Sequence, residues 1–316
     1  MKNKNNDYFY DKYFKIFEEV LSFANEQIPK LTRKNVYHYT SDVGLKSILE
    51  KENLWLSDIA YLNDESEMKY FTDLVLDYIN KNKKEEFYSI LADIIKKQKL
   101  NNKPKIKKFN NNYIKNNYFI ISFSVNKDCL PLWVNYTKNK YTVGYNIEFN
   151  KTKIANIFKK VKKYSCFSGK VLYDNKKQII IIKNLLTYFK KIYNENTKEK
   201  DDKFIIFAFY NAIKLLSLFC KSPFFKNEEE YRIVLKTNLI KNSNKKYKTS
   251  LKFRIHNGIY IPYIEVDFKE SKNCISGITI SPTQKSELAK LGLEELLFEL
   301  NYDNVSVNNS EIPLRY

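Results

Sequence analysis

The sequence predicts an α+β fold, with strands clustered towards both ends of the chain and a helical insertion between them. Runs of β-branched and aromatic residues typical of strands lie near residues 36–40, 118–125 and 230–237. Longer stretches with apolar residues spaced along one helix face lie near 65–100 and 202–220. Because the two kinds of segment are segregated along the chain, we expect the α+β class.

Each further element has its own local signal. Ser41 and Asp42 are residues that cap a helix at its start, Asp64 does the same for the next helix, and Pro131 is suited to a first helical position. The predicted helices are 7–29, 43–51, 65–100, 130–136, 175–193, 202–220 and 283–299. The predicted strands are 36–40, 54–57, 118–125, 142–149, 230–237, 251–256, 259–266, 274–281 and 304–308, and 163–173 is predicted to be a strand or a hairpin.

These elements predict a simple domain organisation. Residues 1–34 form a helical N-terminal segment, and residues 35–316 form one domain that carries a helical insertion at about 175–220. A chain of 316 residues with a 43% hydrophobic share is long enough to bury a proper core.

The charge of the chain is high but evenly spread. The formal net charge is +19, and only Arg33, Arg232, Arg254 and Arg315 among the 55 basic residues are arginines. Such a charge is typical of proteins that bind nucleic acid or an anionic surface. However, the abundance of Lys, Asn, Ile and Tyr also indicates codon bias in an AT-rich genome. A nucleic-acid partner therefore stays open.

The cysteines and the apolar stretches indicate where in the cell the protein is expected. Cys129, Cys166, Cys220 and Cys274 are far apart and form no CxxC pair, so a structural zinc site is not expected. Isolated cysteines in apolar surroundings are typical of a cytosolic protein. The longest apolar stretch, 204–220, falls short of the roughly 20 residues that span a bilayer. We expect a cytoplasmic protein that has no membrane partner.

The acidic motif before the strand at 230–237 is the strongest candidate site. Glu228, Glu229 and Glu230 are followed by Tyr231 and by one of the rare arginines, Arg232. Because side chains alternate on a strand, the first and third carboxylates are expected to share a face. Two carboxylates at a strand edge suit chemistry on an electron-poor carbon or on a metal ion. The alternative is a solvated acidic turn.

Several short motifs occur together in a fixed order along the chain. They are Tyr37-His38-Tyr39-Thr40, Leu62-Asn63-Asp64 with Glu67, Ile121-Ser122-Phe123-Ser124, Trp133 with Tyr136, Leu172-Tyr173, Glu228 to Arg232, Ile278 to Pro282 and Ser310 to Arg315. In this order they resemble the bacterial domain-of-unknown-function family twenty-nine seventy-one. The resemblance covers roughly residues 35–316.

That family looks like a divergent branch of the ADP-ribosyltransferase fold, which implies a split β-sheet that cradles NAD. The resemblance places His38 on the first strand, Ser122 or Ser124 on a middle strand, and Glu230 on a late strand. Glu228 and Glu230 match a Glu-x-Glu pair. The chain departs from the pattern in reading Ser-Phe-Ser and in carrying His38 where arginine is usual, so the acceptor is not carried over.

The chemistry of these residues fits that activity. Cleavage of the nicotinamide–ribose bond builds positive charge on the ribose, which a fixed Glu230 carboxylate would stabilise. Glu228 would orient or deprotonate the incoming nucleophile. His38 would donate a hydrogen bond to a ribose hydroxyl, and Trp133 or Tyr136 would stack on nicotinamide. The expected residues that bind NAD are His38, Tyr39, Thr40, Ser122, Ser124, Trp133 and Tyr136, with no metal.

Other interpretations stay open. Ser122 and Ser124 could be ordinary strand residues, Trp133 and Tyr136 could belong to the core, and Arg232 could pair with a carboxylate. The alternatives to a transferase that modifies protein or nucleic acid are an NAD glycohydrolase, a non-catalytic nucleic-acid- or nucleotide-binding module, and a metal-dependent nuclease. The nuclease would use Asp64, Glu67, Glu228 and Glu230. Analogy with the family also favours a role in a toxin or phage-defence system, with a neutralising or regulatory protein partner.

Overall fold

The computed structural model describes residues 2–61, 65–82, 86–100, 108–109, 112–113, 118–136, 144–196, 202–237, 251–283 and 286–313. The α-helices in these ranges are α1 (Lys2–Glu26), α2 (Asp42–Lys51), α3 (Glu65–Lys81), α4 (Glu86–Leu100), α5 (Leu130–Tyr136), α6 (Lys151–Lys159), α7 (Asn175–Asn196), α8 (Asp202–Ser217) and α9 (Glu287–Glu299). Short 3-10 helices span Ile59–Tyr61, Pro223–Glu228 and Lys269–Cys274.

The strands in the same ranges are β1 (Asn35–Ser41), β2 (Asn53–Asp58), β3 (Lys108–Phe109), β4 (Asn112–Tyr113), β5 (Tyr118–Ser124), β6 (Gly144–Asn150), β7 (Tyr164–Lys170), β8 (Glu230–Thr237), β9 (Lys252–His256), β10 (Ile259–Asp267), β11 (Ile275–Ile280) and β12 (Ser306–Asn309). A large, mostly antiparallel sheet is combined with several helices, so the α+β class predicted from the sequence is confirmed.

The chain divides into two compact units. The helical unit consists of Met1–Pro29, Asn63–Tyr113 and Lys170–Lys226, and the sheet unit consists of Lys30–Leu62, Ile114–Gly169 and Asn227–Tyr316. The N-terminal helix and the segment predicted as an insertion thus belong to the same unit.

The sheet unit is built on an open mixed sheet. Among the described strands, ten form this sheet, with the order β12-β11-β6-β1-β5-β2-β10-β9, while β8 pairs with both β5 and β7. The pair β11 and β12 is parallel, whereas β1, β2 and β8 each run antiparallel to β5.

The sheet branches at β5. One edge of β5 pairs with β8 over its whole length, from Tyr118 to Ser124. The other edge meets two strands in succession: β2 near its start, at Phe119 and Ile120, and β1 at its end, at Ser124. Between these two contacts, the second edge of β5 has no strand partner within the described residues. The sheet therefore opens beside the middle of β5.

The two faces of β5 and β8 differ in character. One face carries Phe119, Ile121 and Phe123 of β5 with Tyr231, Ile233 and Leu235 of β8, all buried in the main hydrophobic core. Residues that pair directly across an antiparallel ladder point to the same face. The opposite face therefore carries two polar pairs, Ser122 with Arg232 and Ser124 with Glu230. The alternation of the sequence concentrates polar groups on this second face.

Local signals explain how the elements near this face are placed. The Ser41 hydroxyl caps α2 by accepting a hydrogen bond from the Gly44 amide, as predicted. A Cβ at Gly44 would lie 2.1 Å from the Thr40 hydroxyl oxygen, so the close approach of α2 to β1 requires glycine there. These contacts fix the end of β1.

The boundaries of several predicted elements were wrong. The helix predicted over 65–100 is two helices, α3 and α4. The helix α6 was not predicted, although Asn150 caps it and Ile154, Ala155 and Phe158 are buried. The last helix begins at Glu287, four residues later than predicted.

The helical unit buries an aromatic and aliphatic core. Helix α7 packs against α8 through Phe189 and Phe209, whose ring centroids lie 3.7 Å apart. Gln178 is fully buried, and its amide group donates to the carbonyl oxygens of Leu172 and Lys221. Of the helices that the structure describes, none is long and apolar enough to cross a membrane.

Candidate functional site

A cleft opens in the sheet unit where β1 and β5 separate. In the described chain, these strands share a single residue pair, Tyr37 with Ser124, and the ladder between them ends there. The cleft is lined by Tyr37, His38, Tyr39, Ser122, Phe123, Ser124, Leu132, Glu228 and Glu230. Its empty volume, open solvent included, is about 350 Å³.

His38 stands at the point where the strands separate. Its Nδ1 lies 3.2 Å from the carbonyl oxygen of Ser122, and its ring lies edge-on to Phe123 at 5.7 Å. The imidazole thus donates to the Ser122 carbonyl the hydrogen bond that the backbone of a neighbouring strand would otherwise donate. Burial lowers the pKa of His38, and the Ser122 carbonyl opposes that shift only in part. The ring is therefore neutral near pH 7.

The hydrogen bond also decides which ring nitrogen carries the proton. A carbonyl oxygen can only accept, so the neutral ring carries its proton on Nδ1 and leaves Nε2 as an acceptor. The sequence suggested that His38 donates a hydrogen bond to a ribose hydroxyl. In this tautomer, Nδ1 donates to Ser122 instead, and a ligand hydroxyl would have to donate to Nε2.

Glu230 is held by Arg232 from the next position on the same face of β8. The Nε of Arg232 donates to Oε2 at 2.6 Å, and Nη2 donates to Oε1 at 3.0 Å. Both residues are buried, with 8% of Glu230 and 3% of Arg232 exposed. Two parallel bonds of this kind orient a carboxylate firmly. The pairing of Arg232 with a carboxylate, one of the roles suggested from the sequence, is confirmed.

Glu228 reaches the same cleft, but not from a strand. It ends the 3-10 helix Pro223–Glu228, whereas β8 begins at Glu230. Between them Glu229 has a positive φ of 40°, which breaks the alternation of an extended chain. The prediction that Glu228 and Glu230 share one strand face was therefore wrong. The turn at Glu229 brings both carboxylates to the cleft by a different path.

Ser124 fixes this turn. Its hydroxyl donates to the Glu228 carbonyl oxygen at 2.9 Å and accepts from the Asn126 amide at 3.0 Å. The amide of Val125 donates to the Glu229 carbonyl oxygen at 3.0 Å. The end of β5 thus positions the acidic segment, and the Ser124 hydroxyl is engaged in doing so.

Tyr39 and Trp133 form a small buried cluster beside the cleft. The Trp133 ring lies edge-on to Tyr39 at 4.8 Å, and 2% of Trp133 is exposed. The indole nitrogen donates to an Asp128 carboxylate oxygen at 2.6 Å. The Tyr39 hydroxyl donates to the Asn126 carbonyl and accepts from the Cys129 amide. This placement favours the core alternative for Trp133, whereas Tyr39 also lines the cleft.

The remaining residues predicted for the site either lie away from the cleft or fall outside the residues that the structure describes. Thr40 contacts the first turn of α2 and is not among the residues that line the cleft. The side chains of Tyr136 and Glu67, and the whole of Asp64, lie outside the described residues. In the part of the chain that is described, no group of three or more His, Cys, Asp and Glu side chains could hold a metal ion.

Sequence reasoning missed Asp128, which organises the surroundings of the cleft. Its carboxylate accepts hydrogen bonds from the Ser310 hydroxyl at 2.8 and 3.0 Å and from the Glu311 amide at 2.7 Å, besides the bond from Trp133. The only sequence signal was an Asn-Lys-Asp turn after a strand. Tyr37, Phe123 and Leu132 were also missed as lining residues.

The comparisons with known proteins bear on the family alone. No curated protein and no solved structure matches the chain at a significant level. Residues 132–233, which run from α5 into β8, match the family described as "Protein of unknown function (DUF2971)". This is the family whose motifs the sequence resembles, and the matched segment includes Glu228, Glu230 and Arg232. The match therefore confirms, over residues 132–233, the resemblance to the DUF2971 family.

Proposed function

We propose that this protein is an NAD-dependent ADP-ribosyltransferase-like enzyme that cleaves the nicotinamide–ribose bond and passes ADP-ribose to a protein or a nucleic acid. The observation that carries the proposal is the lining of one cleft by His38 of β1, Ser122 and Ser124 of β5, and Glu230 of β8. Three separate strands deliver the three residue types that the resemblance requires, and Glu228 lies beside them.

Glu230 is suited to stabilise the developing charge. As the bond between ribose C1′ and the nicotinamide nitrogen breaks, the bonding electrons leave with nicotinamide and positive charge spreads over the ribose ring. In NAD this positive charge starts on the nicotinamide ring and moves onto the ribose as the bond breaks, so a carboxylate beside the ribose stabilises the transition state more than the ground state. Arg232 donates one hydrogen bond to each oxygen of Glu230. These two bonds occupy two of the roughly four lone-pair positions of the carboxylate.

Glu228 is suited to serve the acceptor. It is half-buried in the cleft wall, and the bond from Ser124 to its backbone carbonyl fixes its position. When the nucleophile of the acceptor forms its bond to C1′, Glu228 would take the released proton. If water replaces the acceptor, the same steps yield free ADP-ribose, which is the NAD glycohydrolase alternative.

The test is incubation of the purified protein with NAD labelled in its adenylate part, with and without a cell lysate. Nicotinamide release and label on protein, RNA and DNA are measured on the same samples. We expect nicotinamide release that is lost in Glu230→Gln, together with label on one class of macromolecule. Nicotinamide release without macromolecular label would establish the glycohydrolase, and no release under any condition would contradict both. Binding of NAD without turnover would instead support a non-catalytic module.

A further inference from the structure

The cleft has an unusual charge for a site that would take an anionic dinucleotide. Its lining includes the two carboxylates Glu228 and Glu230 but no lysine or arginine among the described residues. Arg232, which contacts the lining residue Glu230, is buried and is bonded to both oxygens of that carboxylate. His38 is neutral near pH 7 because its burial lowers its pKa. A cationic side chain that binds a pyrophosphate must therefore lie at the edge of the cleft.

Arg33 lies close to the residues that line the cleft. It precedes β1 by two positions, and its Nη1 donates to the Val125 carbonyl oxygen at 3.0 Å. Val125 directly follows Ser124, so this bond holds the guanidinium against the end of β5, next to a residue that lines the cleft. The Arg33 charge also acts on Tyr37, which lines the cleft: burial and the Glu148 carboxylate raise the pKa of Tyr37, and Arg33 opposes them. The hydrogen bond to Val125 places Arg33 beside the lining, and its electrostatic effect on Tyr37 agrees with this position.

We propose that Arg33 binds the pyrophosphate of the dinucleotide at the mouth of the cleft. This inference rests on the proposed function and adds the residue that recognises the phosphates.

The chemistry of the side chain suits this role. Arg33 is exposed, and its bond to Val125 uses one of the five N–H groups of the guanidinium. The bond to the backbone orients the group before a ligand arrives, which lowers the entropy lost on binding. A guanidinium matches phosphate oxygens with two parallel hydrogen bonds, which a lysine ammonium cannot do.

The neighbouring Lys34 provides a matched control. It is exposed, like Arg33, and carries the same charge. Its backbone carbonyl accepts a hydrogen bond from the Lys151 amide, a contact that a side-chain change leaves in place. A variant of Lys34 therefore removes one positive charge from the same region without removing the proposed contact.

The test is calorimetric titration of wild-type protein, Arg33→Gln, Arg33→Lys and Lys34→Gln with ADP-ribose, and with nicotinamide riboside as a probe without phosphate. Charge-assisted hydrogen bonds of this kind predict a loss of about 10- to 100-fold in affinity for ADP-ribose in Arg33→Gln. Lys34→Gln should bind like wild type, and Arg33→Lys should recover part of the loss. The affinity for nicotinamide riboside should be the same in all four proteins.

The outcomes separate this inference from the function on which it rests. If wild type binds ADP-ribose and Arg33→Gln binds it equally well, the role of Arg33 is overturned while the proposed function stands. An equal loss for both probes also overturns it, because the variant would then have disturbed the cleft as a whole. If wild type binds neither probe nor NAD, the proposed function and the role of Arg33 are both overturned.

Discussion

Arg232 and Glu230 lie two residues apart on one face of β8 and are joined by two hydrogen bonds, of 2.6 and 3.0 Å. The pair is buried beside the cleft, where one carboxylate without a partner would be costly. Its position opposite Ser122 and Ser124 of β5 sets the direction in which the Glu230 carboxylate points. The same contact therefore bears on both stability and chemistry.

Removal of Arg232 should destabilise the fold strongly. Arg232→Met leaves Glu230 as a buried charge, which typically costs about 3–5 kcal/mol. The double variant Glu230→Gln with Arg232→Met removes the charge as well, and it should be more stable than Arg232→Met alone. The free energy of unfolding of wild type and of both variants is measured by denaturation in urea, followed by circular dichroism. A double variant less stable than the single one would show that the pair is not the main interaction of Arg232.

Glu230→Gln should lower nicotinamide release from NAD by about 10²–10³ at saturation, because the amide removes the charge that stabilises the ribose cation. The amide oxygen still accepts one bond from Arg232, so the loss of stability should be smaller than that of Arg232→Met. Glu265→Gln, which breaks an exposed ion pair with Lys252, is the control and should leave turnover unchanged. Near wild-type turnover in Glu230→Gln would remove Glu230 from the mechanism.

Local patterns predicted the strands that form the cleft. The runs of aromatic and β-branched residues in β1, β5 and β8 are strong enough to locate each strand within one or two positions. Ser41 likewise predicts the start of α2, because a helix cap depends on residues within one turn of the helix. These features depend on neighbours in sequence, which a single sequence shows directly.

The features that sequence reasoning missed depend on contacts between residues distant in sequence or on unusual backbone conformations. Asp128 accepts from Ser310, 182 residues later, and no local pattern indicates that contact. The error at Glu228 arose because strand alternation was assumed through Glu229, whose positive φ ends the extended chain. The bond from His38 to the Ser122 carbonyl exists only because β1 and β5 separate, which is a property of the whole sheet.

His38 should make stability depend on pH. Burial lowers its pKa in the folded protein below the ordinary value of about 6.5. As pH falls through that value, the unfolded chain binds a proton that the folded chain does not, so the free energy of unfolding decreases. Between pH 7.5 and 5.5, wild type should therefore lose more stability than His38→Gln. The exposed His256 supplies the control, since His256→Gln should follow wild type. Equal losses in wild type and His38→Gln would contradict the prediction.

Asp128 should hold the segment 310–313 in place. Asp128→Ala leaves the Trp133 indole and the Ser310 hydroxyl without their charged acceptor, and we expect a loss of at least about 2 kcal/mol. Amide hydrogen exchange in the C-terminal peptide should accelerate, because the Glu311 amide also loses its acceptor. Asp303→Ala, an exposed substitution, serves as the comparison. Unchanged exchange in Asp128→Ala would mean that other contacts secure this segment.

Glu228 should separate transfer from hydrolysis. If it takes the proton of the acceptor, Glu228→Gln should suppress the transfer of labelled ADP-ribose and spare a slow release of nicotinamide. The reason is that Glu230 would still stabilise the ribose cation, and water could still attack it. Label retained on macromolecules and free nicotinamide are measured on the same samples. The substitution keeps the shape of the side chain, and the bond from Ser124 to the Glu228 backbone remains.

Glu229→Gln is the matched control for that experiment. Glu229 carries the same charge and adjoins Glu228, yet it is not among the residues that line the cleft. A change in net charge near the cleft affects both variants equally, so only a role inside the cleft can make them differ. We expect Glu229→Gln to retain transfer and hydrolysis. If both rates fall together in Glu228→Gln, Glu228 acts in bond cleavage or in the scaffold, and the two carboxylates do not divide the reaction between them.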